Sequence, residues 1–307
     1  MYSDAGATFV GKVGTIKNET SQDYNYATLT ADNSGHLYLY QATVVGQLLS
    51  YANYGATPLQ TLQQRHPFDL LTLDAFGNLF AGCGDQESRV CEFRSKGSGE
   101  LGTQPSRKIL SDGAHPFFLA VDPKGDLGVS GGAGGFFAYA PHTTKAYWTL
   151  YGSNTVFLSD AFDTSGKLYI VEAPRTGSGP IGVYVYAARG SNPKYKITNG
   201  AYAPGQLAFD SSGNLYVLNF CTYGCGKIKN SVSIYAPGAT RPTSVLQPPS
   251  GATFNGIGVS SAGYLAVIEN ETSGSGGPVV VYAPGTTVPS VTISTGLQRP
   301  DEVAFGN

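Results

Sequence analysis

The chain has 307 residues, of which only 13% are charged, and its net charge of −2 gives no field that would attract nucleic acid or an anionic membrane. No stretch approaches the roughly 18 consecutive apolar residues of a membrane-spanning helix. The chain is rich in Gly (41 residues) and Tyr (20 residues), and its short apolar segments are separated by turn residues. This composition suits tight turns and short strands and argues against disorder.

The first predicted elements are recognised because their sequence recurs about 50 residues later in the chain. Residues 2–8 align with residues 51–57, which end a predicted third strand, and an outer strand is predicted at residues 12–16. The pattern therefore begins in the middle of a repeat. No signal peptide is visible at this terminus, and we expect missing strands and any export signal to lie upstream.

Six repeats follow, and each contains a turn that ends in Gly. The glycines recur every 41–50 residues, which matches one four-stranded propeller blade. An Asp stands three residues before this Gly in five copies, and Ser260 takes that place in the sixth. Asp at the first position of a type I turn accepts a backbone hydrogen bond, and Gly then adopts a positive φ, so we interpret these aspartates as turn formers. The turn glycines are Gly35, Gly77, Gly125, Gly166, Gly213 and Gly263.

The strands of each repeat share a pattern. The second strand is almost continuously apolar, as in residues 215–218, and is therefore expected to be covered on both faces by stacked sheets. Predicted outer strands at residues 242–246 and 289–293 begin with Pro, which an edge strand tolerates. The third strand ends on Phe93 in the second repeat, and otherwise on Tyr51, Tyr139, Tyr186, Tyr235 and Tyr282.

The last predicted element, residues 301–305, matches the first strand at residues 206–209. The two termini thus carry complementary parts of one more blade, and closing a blade with both termini removes the free edge of an open array. We therefore predict a single all-β domain over residues 1–307, a seven-bladed β-propeller whose seventh blade is incomplete and shared by both termini. A six-bladed propeller is the alternative.

The repeat also resembles a known group of proteins. Residues 207–217 read Leu-Ala-Phe-Asp-x-x-Gly-Asn-Leu-Tyr-Val, and Val-x-Ile-Tyr follows at residues 232–235, which is similar to the NHL-repeat, SMP-30 and YVTN group of β-propellers. The resemblance covers nearly all of the chain and implies a propeller fold. The group includes ligand-binding proteins, lactonases, lyases and structural modules, so it implies no single function. The chain departs from the SMP-30 lactonase pattern, because it has no Glu at the start of the first complete repeat and no matching Asn–Asp metal set.

Four cysteines stand in two local pairs, each between a predicted second and third strand. Cys83 and Cys91 belong to the second repeat, and Cys221 and Cys225 belong to the fifth. Sequence proximity favours a disulfide within each pair, and therefore an oxidising, extracellular or periplasmic compartment. Free thiols and a metal site are the alternatives, although the spacings match no zinc-ribbon pattern.

The loops that lead into the first strands are expected to gather around the channel of a propeller. His66 and His115 occupy the same repeat position in neighbouring blades, and two imidazoles with a carboxylate are able to bind a divalent metal or perform acid–base chemistry. In the simpler interpretation, each His-Pro pair is a turn before a strand. The candidate binding residues at the channel mouth are Tyr26, His66, Asp69, His115, Asn255, Arg299, Asp301 and Glu302.

The leading functional hypothesis is a secreted binding or scaffold protein that uses these loops for a small molecule, a carbohydrate or a protein. It needs no cofactor and involves neither nucleic acid nor a membrane span. The alternative is a metal-assisted hydrolase or lyase of the SMP-30 or lactonase kind, in which His66, His115, Asp69 and Glu302 hold one divalent metal. The sequence favours binding but does not decide whether the protein is an enzyme.

Overall fold

The structure is a computed structural model, and the secondary structure of its described residues consists of strands and turns. Within this part of the chain, no helix is long and apolar enough to cross a membrane. The described residues are 27–32, 34–41, 47–52, 57–63, 70–83, 89–110, 116–131, 135–152, 154–175, 181–220, 230–250, 252–271, 277–294 and 303–305.

The chain divides into two compact units, of which the first comprises Met1–Tyr151 with Phe305–Asn307. Its described strands form three antiparallel four-stranded sheets, and a two-stranded hairpin is inserted in the second sheet. Sheet 1 contains β1 (Ala27–Ala31), β2 (Leu37–Gln41), β3 (Gln47–Tyr51) and β4 (Gln60–Gln63). Sheet 2 contains β5 (Leu71–Leu73), β6 (Leu79–Gly82), β7 (Arg89–Phe93) and β10 (Arg107–Leu110), with the hairpin β8 (Ser95–Gly97) and β9 (Glu100–Leu101) between β7 and β10. Sheet 3 contains β11 (Pro116–Val121), β12 (Leu127–Gly131), β13 (Gly135–Tyr139) and β14 (Trp148–Tyr151).

The second unit, Gly152–Ala304, contains three further antiparallel sheets of four strands in sequence order. Sheet 4 contains β15 (Thr155–Phe162), β16 (Leu168–Pro174), β17 (Gly182–Tyr186) and β18 (Pro193–Ile197). Sheet 5 contains β19 (Pro204–Phe209), β20 (Leu215–Asn219), β21 (Ser231–Tyr235) and β22 (Ser244–Leu246). Sheet 6 contains β23 (Ala252–Val259), β24 (Leu265–Glu271), β25 (Val279–Tyr282) and β26 (Pro289–Ile293).

The turn between first and second strands is the one that the sequence predicts. In sheet 2, Oδ1 of Asp74 accepts hydrogen bonds from the backbone N–H groups of Phe76 and Asn78 at 2.9 and 2.8 Å. Gly77 donates its N–H to the Asp74 carbonyl at 3.0 Å and has a φ of 78°, a left-handed conformation that favours glycine. The interpretation of the aspartates as turn formers is therefore confirmed.

The core of each unit lies between successive sheets. The second strands are buried on both faces as predicted, and Val217 of β20 is completely buried between residues of sheets 4 and 5. The tyrosines that end the third strands are also buried, and two of their hydroxyl groups connect neighbouring sheets. Tyr139 donates to the Leu110 carbonyl at 3.4 Å, and Tyr235 donates to the Asn199 carbonyl at 2.7 Å. Burial and hydrogen bonding thus both join one sheet to the next.

A buried ion pair in sheet 2 is a feature that the sequence did not indicate. Arg107 of β10 lies opposite Glu92 of β7, with 2.7 Å between Nε and Oε2, and both side chains are buried. The same guanidinium donates to the carbonyl groups of Ala140 and Thr143 in sheet 3, at 2.8 and 2.6 Å. Arg107 therefore satisfies a buried carboxylate and two carbonyl groups of the neighbouring sheet at once.

The seven-bladed prediction is not confirmed. The described residues contain six four-stranded sheets, which matches the six-bladed alternative. Residues 2–8 and 12–16 lie outside the described part of the chain, and residues 303–305 have no strand assignment. The Val303 carbonyl nevertheless lies close to β23, since a Cβ added at Gly258 would be 2.7 Å from its oxygen.

Removing one partner of the buried ion pair is expected to destabilise the protein strongly. In Arg107→Met, the Glu92 carboxylate would lose its buried counter-charge, and the free energy of unfolding should fall by about 3–5 kcal/mol. Urea denaturation followed by tryptophan fluorescence measures this loss. Lys108→Met changes an exposed residue of the same strand and should have little effect. The double variant with Glu92→Met should recover most of the loss; a loss as large as that of Arg107→Met would contradict the proposed pairing.

Candidate functional site

We call the end of a sheet at which its first strand begins and its second strand ends the loop edge, as at Pro116 and Gly131 in sheet 3. The opposite end, which carries the Asp–Gly turn such as Asp122–Gly125, is the turn edge. Of the predicted channel-mouth residues, the structure places Asn255 at the loop edge of sheet 6. Only Asn255 lies within the described part of the chain, so the proximity of the two histidines stays a prediction. The residues outside it are Tyr26, His66, Asp69, His115, Arg299, Asp301 and Glu302.

Asn255 occupies a β-bulge near the start of a first strand. The β23–β24 register shifts between Phe254 and Gly256, which leaves Asn255 outside the regular pairing and half-buried. The same shift occurs in three other first strands, so the bulge is a repeated feature of the loop edge. Bulges redirect side chains and are common next to binding and catalytic sites. The equivalent bulge residues are Phe117, Leu158 and Gly205.

A second repeated position carries buried polar groups. It is the fifth residue counted from the Leu that begins each second strand, and it lies opposite the residue that precedes the bulge. In the second unit this residue is Glu172, Asn219 and Glu269, and all three are buried. The apolar run of four residues that stops there is visible in the sequence, but its meaning depends on the pairing register. The first unit has Gln41, Cys83 and Gly131 at this position.

Asn219 organises the loop edge of sheet 5. Its amide nitrogen, Nδ2, lies 2.8 Å from the Gly200 carbonyl and within 3.2 Å of the hydroxyl groups of Ser231 and Ser233. Its Oδ1 accepts the backbone N–H of Tyr202 at 3.0 Å. Ser233 also donates to the Gly200 carbonyl, at 2.7 Å. The buried side-chain amide of Asn219 thus holds the connection between β18 and β19 at two points, Gly200 and Tyr202.

Two aromatic side chains are displayed beside this network. Tyr202 is 56% exposed, and Phe220, directly after Asn219, is 38% exposed. Their backbones are held close together, because the N–H of Phe220 donates to the Ala203 carbonyl at 2.8 Å. In the first unit, Phe117 at the bulge of β11 and Tyr151 at the end of β14 are exposed at the loop edge of sheet 3. Large aromatic side chains on fixed backbone are a common feature of binding surfaces.

The two buried glutamates are each paired with the tyrosine that ends the third strand. Tyr186 donates to Oε1 of Glu172 at 2.5 Å, and Tyr282 forms the equivalent bond with Glu269. Burial raises the pKa of both carboxyl groups, although the tyrosine bonds act in the opposite direction, as does the charge of Lys196 on Glu172. Burial also raises the pKa of Tyr282, to about 12, with the neighbouring Glu269 adding to the shift. The pairs recur in sheets 4 and 6, which indicates a structural role.

One of the two predicted disulfides is confirmed. Cys83 and Cys91 are bonded, with 5.7 Å between their Cα atoms, and both are buried. This disulfide lies at the loop edge of sheet 2. Cys221 and Cys225 lie outside the described residues, so their pairing stays a prediction.

The metal alternative is not tested by the described residues. Among them, no group of three or more His, Cys, Asp or Glu side chains is arranged to hold a metal ion. The four residues of the predicted metal set are all outside this part of the chain, so this finding does not bear on them.

Replacing Asn219 by Leu is expected to loosen the loop edge of sheet 5. The Tyr202 N–H would lose its partner and the Gly200 carbonyl would keep only Ser233, so the free energy of unfolding should fall by about 1–3 kcal/mol. Hydrogen exchange at the Tyr202 amide, measured by NMR, should become faster than in the wild type. Asn192→Leu, at an exposed position of the same unit, is the control. Unchanged exchange at Tyr202 would show that Asn219 does not hold this loop.

Replacing Glu172 by Gln is expected to change stability in a pH-dependent manner. Because the pKa of Glu172 in the folded protein is raised above its ordinary value of 4.5, the unfolded state releases its proton first as pH increases. Below pH 4.5 the ionisation of Glu172 does not lower the free energy of unfolding, and above pH 4.5 it lowers this free energy increasingly as the pH rises. The Tm of Glu172→Gln should match the wild type near pH 4 and exceed it at pH 7. Glu100→Gln controls for the loss of an exposed charge, and a Tm difference independent of pH would contradict the assignment.

Comparisons with known proteins establish the fold. No protein-family model matches the chain, and no curated protein is similar to it in sequence. Among solved structures, it is similar to the β-propeller domain of Cps50 (Swd1) from Myceliophteria thermophila, at 10% identity and a TM-score of 0.68, covering 91% of this chain and 89% of that one. It is also similar to a chain of a mitotic checkpoint complex, at 13% identity and a TM-score of 0.66, covering 92% and 85%. The chain therefore has an all-β propeller fold, while membership of the NHL-repeat or SMP-30 group stays a prediction.

Proposed function

We propose that this protein is a binding or scaffold β-propeller whose loop edges hold an extracellular protein partner through exposed aromatic side chains. The observation that carries the proposal is Tyr202, which is 56% exposed on a loop fixed from below by the buried Asn219. Fixing the backbone in advance reduces the entropy that the side chain loses on binding. An aromatic side chain held in this way is suited to be an energetic centre of an interface.

The other loop-edge features support the same proposal. Phe220 adds apolar surface beside Tyr202 in the second unit, and Phe117 and Tyr151 do so independently in the first. The fold similarity to a chain of a mitotic checkpoint complex is consistent with a propeller that works within a protein assembly. Because few residues are charged, recognition relies on apolar contact and hydrogen bonds more than on electrostatic steering.

The finer parts of the proposal concern location and closure. The Cys83–Cys91 disulfide supports an oxidising compartment, and therefore a secreted or periplasmic protein. We also propose that the chain is one domain, and that residues 301–305 contribute the first strand of a seventh blade of the NHL or SMP-30 kind. The position of the Val303 carbonyl beside Gly258 of β23 supports this placement.

The test is a crosslinking experiment followed by an affinity measurement. Tyr202 is replaced by p-benzoylphenylalanine, the protein is irradiated with the extracellular fraction of its source, and the crosslinked polypeptide is identified by mass spectrometry. The purified partner should bind Tyr202→Ala/Phe220→Ala about 10- to 100-fold more weakly than the wild type, because hot-spot aromatics contribute a few kcal/mol. Val288→Ala removes a still more exposed apolar side chain from a different surface and should leave the Kd unchanged.

Two outcomes would contradict the proposal. A partner that binds the double variant as tightly as the wild type would show that these aromatics are not the binding surface. A stoichiometric divalent metal in the purified protein that disappears in His66→Ala would instead favour the metal-assisted hydrolase or lyase. Elemental analysis of both proteins distinguishes these cases.

A further inference from the structure

The turn edge of the first unit contains a cleft that the repeat pattern alone does not explain. It has a volume of about 480 Å3 and lies between the turns of sheets 1 and 2, which begin at Asp32 and Asp74. Its third wall is the β8–β9 hairpin. The volume falls in the range of about 300–1,000 Å3 that is common for small-molecule sites.

The hairpin is an addition to the four-stranded plan, and it is firmly attached. The Gln60 side chain in sheet 1 accepts the Leu101 N–H and donates to its carbonyl, both at 2.9 Å, in the manner of a neighbouring strand. The N–H of Ser95 donates to Oδ1 of Asn78 at 3.0 Å, and Leu101 is buried in the core of sheets 1 and 2. The cleft therefore has rigid walls from two sheets.

The tip of the β8–β9 hairpin has a left-handed backbone conformation and lies against a side chain of sheet 1. Gly97, Ser98 and Gly99 have φ values of 83°, 53° and 80°, and a left-handed conformation is unfavourable for Ser98. A Cβ at Gly99 would lie 2.5 Å from Cδ2 of His36, so the tip rests directly on the imidazole. His36 is in turn held by Asp32, with 2.8 Å between Nδ1 and Oδ2.

Sheets 5 and 6 show how neighbouring turns meet without such an insertion. There the N–H and hydroxyl groups of Ser211 donate directly to the Ser261 carbonyl, at 3.1 and 2.6 Å. In sheets 1 and 2 the insertion lies beside the two turns and a cleft is present between them. The cleft is thus bordered by residues that the four-stranded plan of a sheet does not require.

The lining of the cleft selects for one kind of ligand. Ser34, Ser95 and Ser98 contribute hydroxyl groups, and none of its lining residues, all within the described part of the chain, is Lys or Arg. An anion would therefore meet Asp32 and Asp74 without a counter-charge. The Asp74 carboxylate has about four acceptor positions and uses three of them in its own turn, so it retains capacity for a ligand hydroxyl.

The rim of the cleft adds an apolar surface. Phe76 lines the cleft and is 74% exposed; the Cε2 edge of its ring lies near the sheet 3 turn, 3.9 Å from a Cβ added at Gly125, and the exposed part of the ring is accessible for stacking. A ligand with hydroxyl groups at its edges and C–H groups on its ring faces matches both the polar walls and this ring. We propose that the cleft between the turns of sheets 1 and 2 is a binding site for a neutral saccharide of one or two rings. This site is independent of the loop-edge surface.

The experiment is saturation-transfer-difference NMR with the full chain. The neutral probes are maltose, cellobiose, lactose and N,N′-diacetylchitobiose, and the charged probes are glucose 6-phosphate and tetramethylammonium. At least one neutral disaccharide should give a signal and glucose 6-phosphate should give none. Titration should show that Phe76→Ala weakens binding about three- to tenfold through loss of the stacking face. Ala75→Trp, which introduces a bulky side chain at an exposed lining position, should abolish binding.

A control variant shows whether a loss of binding is specific to the cleft. Val288→Ala removes a side chain of matching exposure from the second unit and should bind as the wild type does. No signal from any neutral saccharide would overturn the proposal. Binding of tetramethylammonium alone would do so as well, since it would identify a cation site, and saccharide binding unchanged in both cleft variants would place the ligand elsewhere. Loss of partner binding in Tyr202→Ala/Phe220→Ala has no bearing on this site.

Discussion

The constraint on which this structure depends is that no sheet is able to bury its own second strand. Each sheet is a single layer, and the side chains of its second strand project from both faces, so both faces need a neighbouring sheet. Val217 in the second unit and Tyr38 in the first are completely buried for this reason. Any polar group within these layers must find its partners inside the protein, because water does not reach it. The Glu92–Arg107 pair and the Asn219 network are two solutions to that requirement.

The requirement explains why the loop edge differs from sheet to sheet whereas the turn edge hardly does. At the turn edge, Asp and Gly satisfy the backbone locally in five repeats, and Ser260 replaces the Asp in the sixth, where its hydroxyl accepts the Tyr264 N–H. At the loop edge, the fifth residue counted from the Leu that begins the second strand is a glutamine, a cysteine in a disulfide, a glycine, a glutamate or an asparagine. Each choice needs different partners on the third strand or in the adjoining connection. Variation at an otherwise regular position allows each connection to be held in its own shape, which suits loops that carry binding residues.

The parts of the fold that could be predicted from the sequence are those whose cause is local. The Asp–Gly turns, the apolar second strands and the tyrosines of the third strands follow from residues a few positions apart, and the structure confirms them. The Cys83–Cys91 bond was also predictable, because the two cysteines are only eight positions apart in the sequence. The Glu92–Arg107 pair was not, since it depends on the register between β7 and β10. The β8–β9 hairpin was missed because its Ser, Lys and Gly residues resemble a loop. The seventh blade and the channel-mouth residues, apart from Asn255, depend on segments outside the described part of the chain.

The two edges also differ in how a ligand would gain its affinity. At the loop edge of sheet 5, the protein has already lost the backbone entropy, because Asn219 holds the connection that carries Tyr202. The exposed side chain of Tyr202 then offers apolar surface on a backbone held by hydrogen bonds, and a partner that covers this surface gains binding free energy. At the turn edge of sheets 1 and 2, the cleft offers acceptors and hydroxyl groups that are already arranged by the turns, and the exposed ring of Phe76 supplies the apolar contact. A surface built from one aromatic pair favours a large partner that excludes water around it, whereas a cleft contacts a small ligand from several sides. The buried second strands form the layers in every sheet, and the differences between these two surfaces come from the connections at the loop edge and from the β8–β9 insertion at the turn edge.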